Sequence, residues 1–175
     1  MKPKTLSSEI AHQNPWYHVR HDKLEWPDGH RGEYFVTEGW SGCAIVAVHE
    51  GRLLTVSQYR YTVDKISIEL PMGRVKPDEA PEQGARREFE EETGCQASNM
   101  KLLAKTFVGN GYSHVPLYIF LATGFTLCQQ QLDHEEQGMT AHWMPLEEWR
   151  QKIRNGEITD NETLGAWAVY QAQEQ

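Results

Sequence analysis

Glu88, Glu91 and Glu92 offer the most explicit chemistry in this sequence. They fall in the run Gly73 to Cys95, GRVKPDEAPEQGARREFEEETGC. At 100° per residue the three carboxylates occupy one arc of a helix, with Ala85 and Phe89 on the neighbouring arc that would face a core. Like charges three and four residues apart cost a helix about 0.2–0.5 kcal/mol per pair, so such an arc needs either solvent or a cation. Carboxylate oxygens are hard donors that suit Mg²⁺ or Mn²⁺, ions that bridge a few carboxylates to substrate phosphates and keep some water. Taken alone, the three residues also fit a solvated, Glu-rich surface helix. A glycine at each end, a Pro- and Asp-containing turn, and Arg87 beside the first glutamate are more than solubility requires.

The elements that must position these residues are legible in outline. Asp78 and Glu79 precede Pro81, which suits a first helical turn because its missing N–H would go unpaired there anyway, and Gly94 suits the position after the helix end. Cys43 to Val48 and Leu53 to Tyr59 read as a hairpin closed at Glu50-Gly51, and the Ala-Ile-Val-Ala-Val run within it lacks alternation, as expected of a strand buried on both faces. Residues 1–13 are polar and are expected to be loosely held. From Trp16 to Trp26 the pattern is of short strands ending in a Pro-Asp-Gly turn, followed by a strand over Glu33 to Thr37. His18 and His21 read as strand-surface histidines on opposite faces, not as metal ligands. Further strands are expected over Lys101 to Val108, Pro116 to Ala122 and Thr140 to Met144. Pro145 opens a helix that stops at Asn155-Gly156, and a last helix begins near Asp160. Periodicity alone predicts an α/β or α+β domain.

The whole chain sets bounds on function. Its 175 residues suffice for one domain and are too few for two ordinary ones. A formal charge of −8 disfavours general affinity for nucleic acid, which relies on basic patches. A polyanionic substrate would have to arrive with a metal or meet local arginines. No apolar run is long enough to span a bilayer, so no membrane association is expected. Cys43, Cys95 and Cys128 form no CxxC pair and read as buried, reduced thiols of a cytoplasmic protein.

The Gly73–Cys95 run also resembles the Nudix box, Gly-x5-Glu-x7-Arg-Glu-apolar-x-Glu-Glu-x-Gly-apolar, at every fixed position, with Phe89 and Cys95 in the apolar places. The resemblance implies a Nudix hydrolase of the α+β class, a single domain over residues 1–175 with a mixed β-sheet sandwiched between α-helices. By the same resemblance Glu88 and Glu92 are the principal ligands of Mg²⁺ or Mn²⁺, Glu91 is a further or water-mediated one, Arg87 orients the carboxylates, and Glu79 stabilises the loop.

Two flanking stretches, Gln58-Tyr59-Arg60 and Glu69-Leu70-Pro71-Met72-Gly73, resemble the ADP-ribose and ADP-sugar pyrophosphatase branch of that family. This implies that Arg60 holds the diphosphate or the adjoining sugar, that Glu69 belongs to the site, and that the Met72 carbonyl is a metal ligand. Glu136 falls where the branch carries the acidic loop of its general base. For the N-terminal segment of about residues 14–40, with Trp16, Tyr17 and Trp26, the resemblance to that branch implies a homodimer in which Trp16 lines the base pocket. The loop Gly109-Asn110-Gly111-Tyr112-Ser113-His114 lacks the proline and glutamate often found there. In their place His114 is expected to make a polar contact to substrate, the alternative being a solvent-exposed loop histidine, and GDP-mannose and dinucleoside polyphosphates stay open as substrates beside ADP-ribose and ADP-sugars. A nucleotide sensor that binds without hydrolysing is the alternative from another class, disfavoured by the intact carboxylates.

Overall fold

The computed structural model of the chain describes residues 2–127, 132 and 137–174. In chain order its strands are β1 (Lys4–Gln13), β2 (Tyr17–Glu25), β3 (Arg31–Gly39), β4 (Gly42–His49), β5 (Arg52–Arg60), β6 (Lys65–Glu69), β7 (Met72–Arg74), β8 (Cys95–Val108), β9 (Val115–Leu127) and β10 (Thr140–Pro145). The helices are α1 (Pro81–Thr93), between β7 and β8, then α2 (Leu146–Arg154) and α3 (Asn161–Gln173) after β10. Among the described residues no helix is long and apolar enough to cross a membrane.

The central strand β4 explains the layering. Cys43 to Ala47 are all fully buried. Ala44 and Val46 pack with Trp149 of α2 and with Ala166, Trp167 and Tyr170 of α3. Cys43, Ile45 and Ala47 pack instead with Ala85 and Phe89 of α1. Successive strand residues point to opposite faces, and helices cover both, so neither alternate set can be polar. The main sheet runs β10-β5-β4-β9-β8, with β6 added to β5 and β7 to β4. It is mixed, because β4 is parallel to β9 and antiparallel to β7. This is the α+β arrangement of a mixed sheet between helices.

The expected hairpin closes at Glu50 (φ 47°) and Gly51 (φ 72°), the left-handed pair of a two-residue turn. Its ladder is short. Only Val48 with Leu53 and His49 with Arg52 pair across it. The strands then part, β5 continuing with β6 and β10, and β4 with β7 and β9. Leu70 and Pro71 cross the gap that this divergence opens, and the site is built around that crossing.

The N-terminal segment corrects one expectation. Residues 4–13 are not loosely held: β1 pairs antiparallel with β2 along its length, and β2 with β3, giving a separate three-stranded sheet. All ten residues of β1 are exposed, so its order comes from main-chain pairing that leaves no hydrophobic alternation to read. β2 is likewise one continuous strand in place of several short ones. On it His18 meets Glu38 at 2.9 Å, while His21 stacks on Phe35 between the carboxylates of Glu9 and Glu33. The sheet is tied to the 109–114 loop by Thr37, which hydrogen-bonds Tyr112 and His114 through its backbone, and by the Tyr34 hydroxyl, which donates to the Gly111 carbonyl.

Candidate active site

The helix α1 begins at Pro81 and is closed by Gly94, whose φ of 64° and N–H bond to the Glu90 carbonyl make the left-handed stop that glycine adopts without strain. Gln83 reaches back to accept the Ala80 N–H, one half of a capping box. The buried face is Gly84, Ala85, Glu88, Phe89 and Glu92, spaced as one helical stripe. Two of those five are carboxylates, with Glu88 8% and Glu92 1% exposed. Burying a charge is costly unless it is partnered, so these side chains are held there by what they meet.

They meet the backbone of β7 and the guanidinium of Arg87. The Arg74 N–H donates to Glu88 Oε1 at 3.1 Å, and the Met72 N–H to Glu92 Oε2 at 2.9 Å. Gly73 lies between these two donors, and a Cβ there would fall 2.1 Å from the Glu88 carboxyl carbon, so glycine is what lets the carboxylate lie this close against the strand. Arg87 donates to Glu88 Oε1 and Glu91 Oε2, each at 2.8 Å, to both oxygens of Glu79, and to the Arg74 carbonyl. One guanidinium thus gathers three box carboxylates and ties the loop before the helix to the helix itself. These bonds hold the Glu79 carboxyl down to about 2 and raise Arg87 above its ordinary value. Behind β7 the Cys43 thiol lies 3.6 Å from the Gly73 carbonyl, and burial pushes it up to about 12. Cys43 and Cys95 are free, buried thiols; Cys128 lies outside the described residues.

Glu69 lies opposite Val56 on the β5–β6 ladder, and the Arg60 side chain reaches back to it from the other end, where Arg60 pairs with Lys65. Glu69 is 2% exposed, and Arg60 grips it through Nε at 2.9 Å and through Nη2. The Arg60 side chain nonetheless keeps 40% of its surface, leaving the guanidinium reachable from solvent. Glu162, in the first turn of α3, was not foreseen here. Burial, then the adjacent Asp160 and the nearby Glu69, push it up to about 7. A carboxyl raised in the folded state favours folding below the unfolded value near 4.5 and loses that contribution as pH rises through about 7. Gln mimics the protonated form, so Glu162→Gln is expected to raise Tm above pH 7 and to leave it unchanged below about 4.5. Thermal unfolding followed across that range checks this; a difference independent of pH would contradict it.

Trp16 and His114 stand apart from the carboxylates. Both line a cleft of about 550 Å³ between the N-terminal sheet and the start of β9, together with Tyr17, Glu38 and Trp40. His114 stacks on Phe107 and lies 3.7 Å from Glu38, which also accepts from Arg20 and meets His18. Glu38 and Trp40 escaped the sequence reading because nothing in their local pattern marks a cleft closed by distant segments. Glu136, together with its neighbour Glu135, lies outside the described residues.

A family model described as the NUDIX domain matches residues 40–164. The chain belongs to the Nudix family. A second model, described as a nucleoside diphosphate sugar hydrolase N-terminal domain, matches residues 3–37. An ADP-ribose pyrophosphatase of Mycobacterium tuberculosis is 33% identical over 171 residues, covering 95% of this chain and 83% of that protein. A CMP-5'-(N-acetyl-N-hydroxy-3-aminopropyl)phosphonate hydrolase of Streptomyces rubellomurinus is 31% identical over 163 residues, 91% of this chain and 78% of its own. A crystal structure described as that of an ADP compounds hydrolase superposes with a TM-score of 0.86 at 19% identity, covering 99% of this chain and 94% of the other, and so shares the fold. This Nudix chain is a pyrophosphatase-type hydrolase.

Nudix hydrolases generally use divalent metal ions, and the donor chemistry of α1 and β7 fits one. The available atoms are carboxylate oxygens and peptide carbonyls, the hard set that Mg²⁺ and Mn²⁺ take. Among the described residues no three His, Cys, Asp or Glu side chains form a complete cage. An ion seated on Glu88 and Glu92 would therefore draw its remaining ligands from backbone, water and substrate oxygens.

Proposed function

We propose that this protein hydrolyses the diphosphate of an ADP-ribose or ADP-sugar type substrate, giving a nucleoside monophosphate and a sugar phosphate. The observation that carries the proposal is the meeting of Glu79, Glu88 and Glu91 on Arg87, with Glu92 held beside them by the Met72 N–H, over the Gly73 approach. Glu88, Glu92 and the Met72 carbonyl would hold Mg²⁺ or Mn²⁺, with Glu91 as a further ligand. Such ions lower the pKa of bound water and neutralise charge on phosphoryl oxygens.

The chain's own groups supply the rest. Arg87 keeps the carboxylates together before substrate arrives, so little reorganisation is needed at the moment of reaction. Arg60, half turned to solvent beside Glu69, steadies the diphosphate or the adjoining sugar. Glu136 takes the proton of the attacking water as its oxygen bonds to phosphorus and the P–O bond to the leaving phosphate breaks. Trp16 offers a stacking face for the base, and His114, across the same cleft, a polar contact. The hydrolase relatives, one named for ADP-ribose and one for a CMP-linked phosphonate, support the reaction class more firmly than the base. Screening nucleotide sugars, GDP-mannose, CMP-linked compounds and dinucleoside polyphosphates for Mg²⁺-dependent products tests the assignment. Cleavage of ADP-ribose well ahead of the rest is expected; an inert panel would leave a binding module instead.

We also propose a homodimer. Within β1, β2 and β3 only Asp22 and Leu24 are buried, while Leu6, Ile10, Tyr34 and Phe35 are exposed. A three-stranded sheet with so little covered surface is stabilised by a second subunit. Light scattering is expected to give twice 20.2 kDa, and Trp16→Ala to raise KM. A monomer at micromolar concentration, with unaltered KM in the variant, would refute the shared-site arrangement.

A further inference from the structure

We infer that Thr163, on the C-terminal helix α3, is a positioning residue for the metal centre, because its hydroxyl accepts the Leu70 N–H and so fixes the segment that presents the Met72 carbonyl. This rests on the proposed role of that carbonyl as a ligand.

The segment Leu70-Pro71-Met72 crosses the gap where β4 and β5 part. Its regular pairing to β5 ends at Glu69, which faces Val56, and resumes on β4 only at Met72, which faces Ala44. Between those points three elements hold three consecutive residues. The Leu70 N–H donates to Thr163 Oγ1 at 3.1 Å. Pro71 has no N–H, and its carbonyl accepts from Ile45 of β4 at 2.8 Å. The Met72 N–H donates to Glu92 at 2.9 Å. The anchors come from opposite faces of the sheet, α3 on one side and α1 on the other, with β4 between them.

Thr163 suits this task because it cannot drift. It is fully buried, and its own N–H donates to the Asp160 carboxylate at 2.7 Å, the cap that starts α3. Leu70 is fully buried as well, so without the hydroxyl its N–H would have no water to turn to. Losing the bond would therefore free the end of the segment away from Glu92, two residues from the Met72 carbonyl. Groups that orient a ligand without touching the ion commonly cost about 10- to 100-fold in metal affinity or rate when removed.

The test is Mn²⁺ binding to the substrate-free protein, followed by electron paramagnetic resonance, with steady-state kinetics alongside. Thr163→Val keeps the shape and removes the hydroxyl; it is expected to weaken Mn²⁺ binding about tenfold or more and to lower kcat with little change in KM. Thr163→Ser restores the hydroxyl and is expected to bind as wild type. Glu92→Gln in the same titration separates the two levels of the argument. Unchanged Mn²⁺ binding in Glu92→Gln would overturn the metal site itself. Lost binding there with wild-type binding in folded Thr163→Val would overturn only the role of Thr163. Should Thr163→Val not fold, amide exchange at Leu70 in the wild type decides: protection at the level of β4 is expected, and rapid exchange would overturn the inference.

Discussion

Glu92→Gln is expected to abolish most turnover while leaving the fold intact. The carboxylate is 1% exposed and its Oε2 accepts the Met72 N–H, a bond that the amide oxygen of Gln can keep. What the amide cannot supply is charge for the ion. Metal stabilisation of phosphoryl transfer is worth several kcal/mol, and each ~1.4 kcal/mol is tenfold, so kcat should fall by at least about two orders of magnitude. Thermal stability should hold or rise, because one of two buried like charges is removed from the same helical stripe. Glu91→Gln is expected to follow in the same direction with a smaller loss, since its side chain is 34% exposed. Circular dichroism and initial rates at saturating Mg²⁺ check both variants. Full activity in the two would remove the catalytic role of α1.

Glu136→Gln should produce the second large effect and a different signature. A general base contributes typically ~10²–10⁴-fold, so kcat should drop by that range while KM and metal dependence stay near wild type. Glu135→Gln is the control and is expected to be nearly silent. If Glu135→Gln is the damaging change, the assignment is off by one residue. If neither matters, His114 or a box glutamate must take the proton, and pH–rate profiles of the corresponding variants would separate those two.

The sequence made α1 and its carboxylates legible because the signals there are local. Pro81 and Gly94 mark the ends, and the spacing of Glu88, Glu91 and Glu92 fixes a common arc. β4 was legible for a related reason: burial on both faces leaves an unbroken apolar run. β1 was not, because a strand exposed along its whole length is ordered by main-chain bonds to which any side chain is compatible. Strands β8 and β9 extend beyond the expected spans at their outer ends, where polar residues such as Gln96 and Asn99 continue the ladder. The expected hairpin of β4 and β5 was correct at its turn, but its divergence after two pairs depends on β6 and β7 entering the gap. Within the site, Arg87 could be placed beside Glu88 by adjacency. Its five hydrogen bonds across loop, strand and helix could not, and neither could the bond from Leu70 to Thr163, which joins residues 93 positions apart.

The most direct measurement is ³¹P NMR of ADP-ribose incubated with the wild-type protein and Mg²⁺, before and after chelation and again after Mg²⁺ is restored. The paired diphosphate signals are expected to give way to the two monophosphate signals of AMP and ribose 5-phosphate, to persist while the metal is chelated, and to disappear again on its return. Diphosphate signals that survive with Mg²⁺ present, or cleavage that continues at full rate in chelator, would contradict a metal-dependent diphosphate hydrolase built on Glu88 and Glu92.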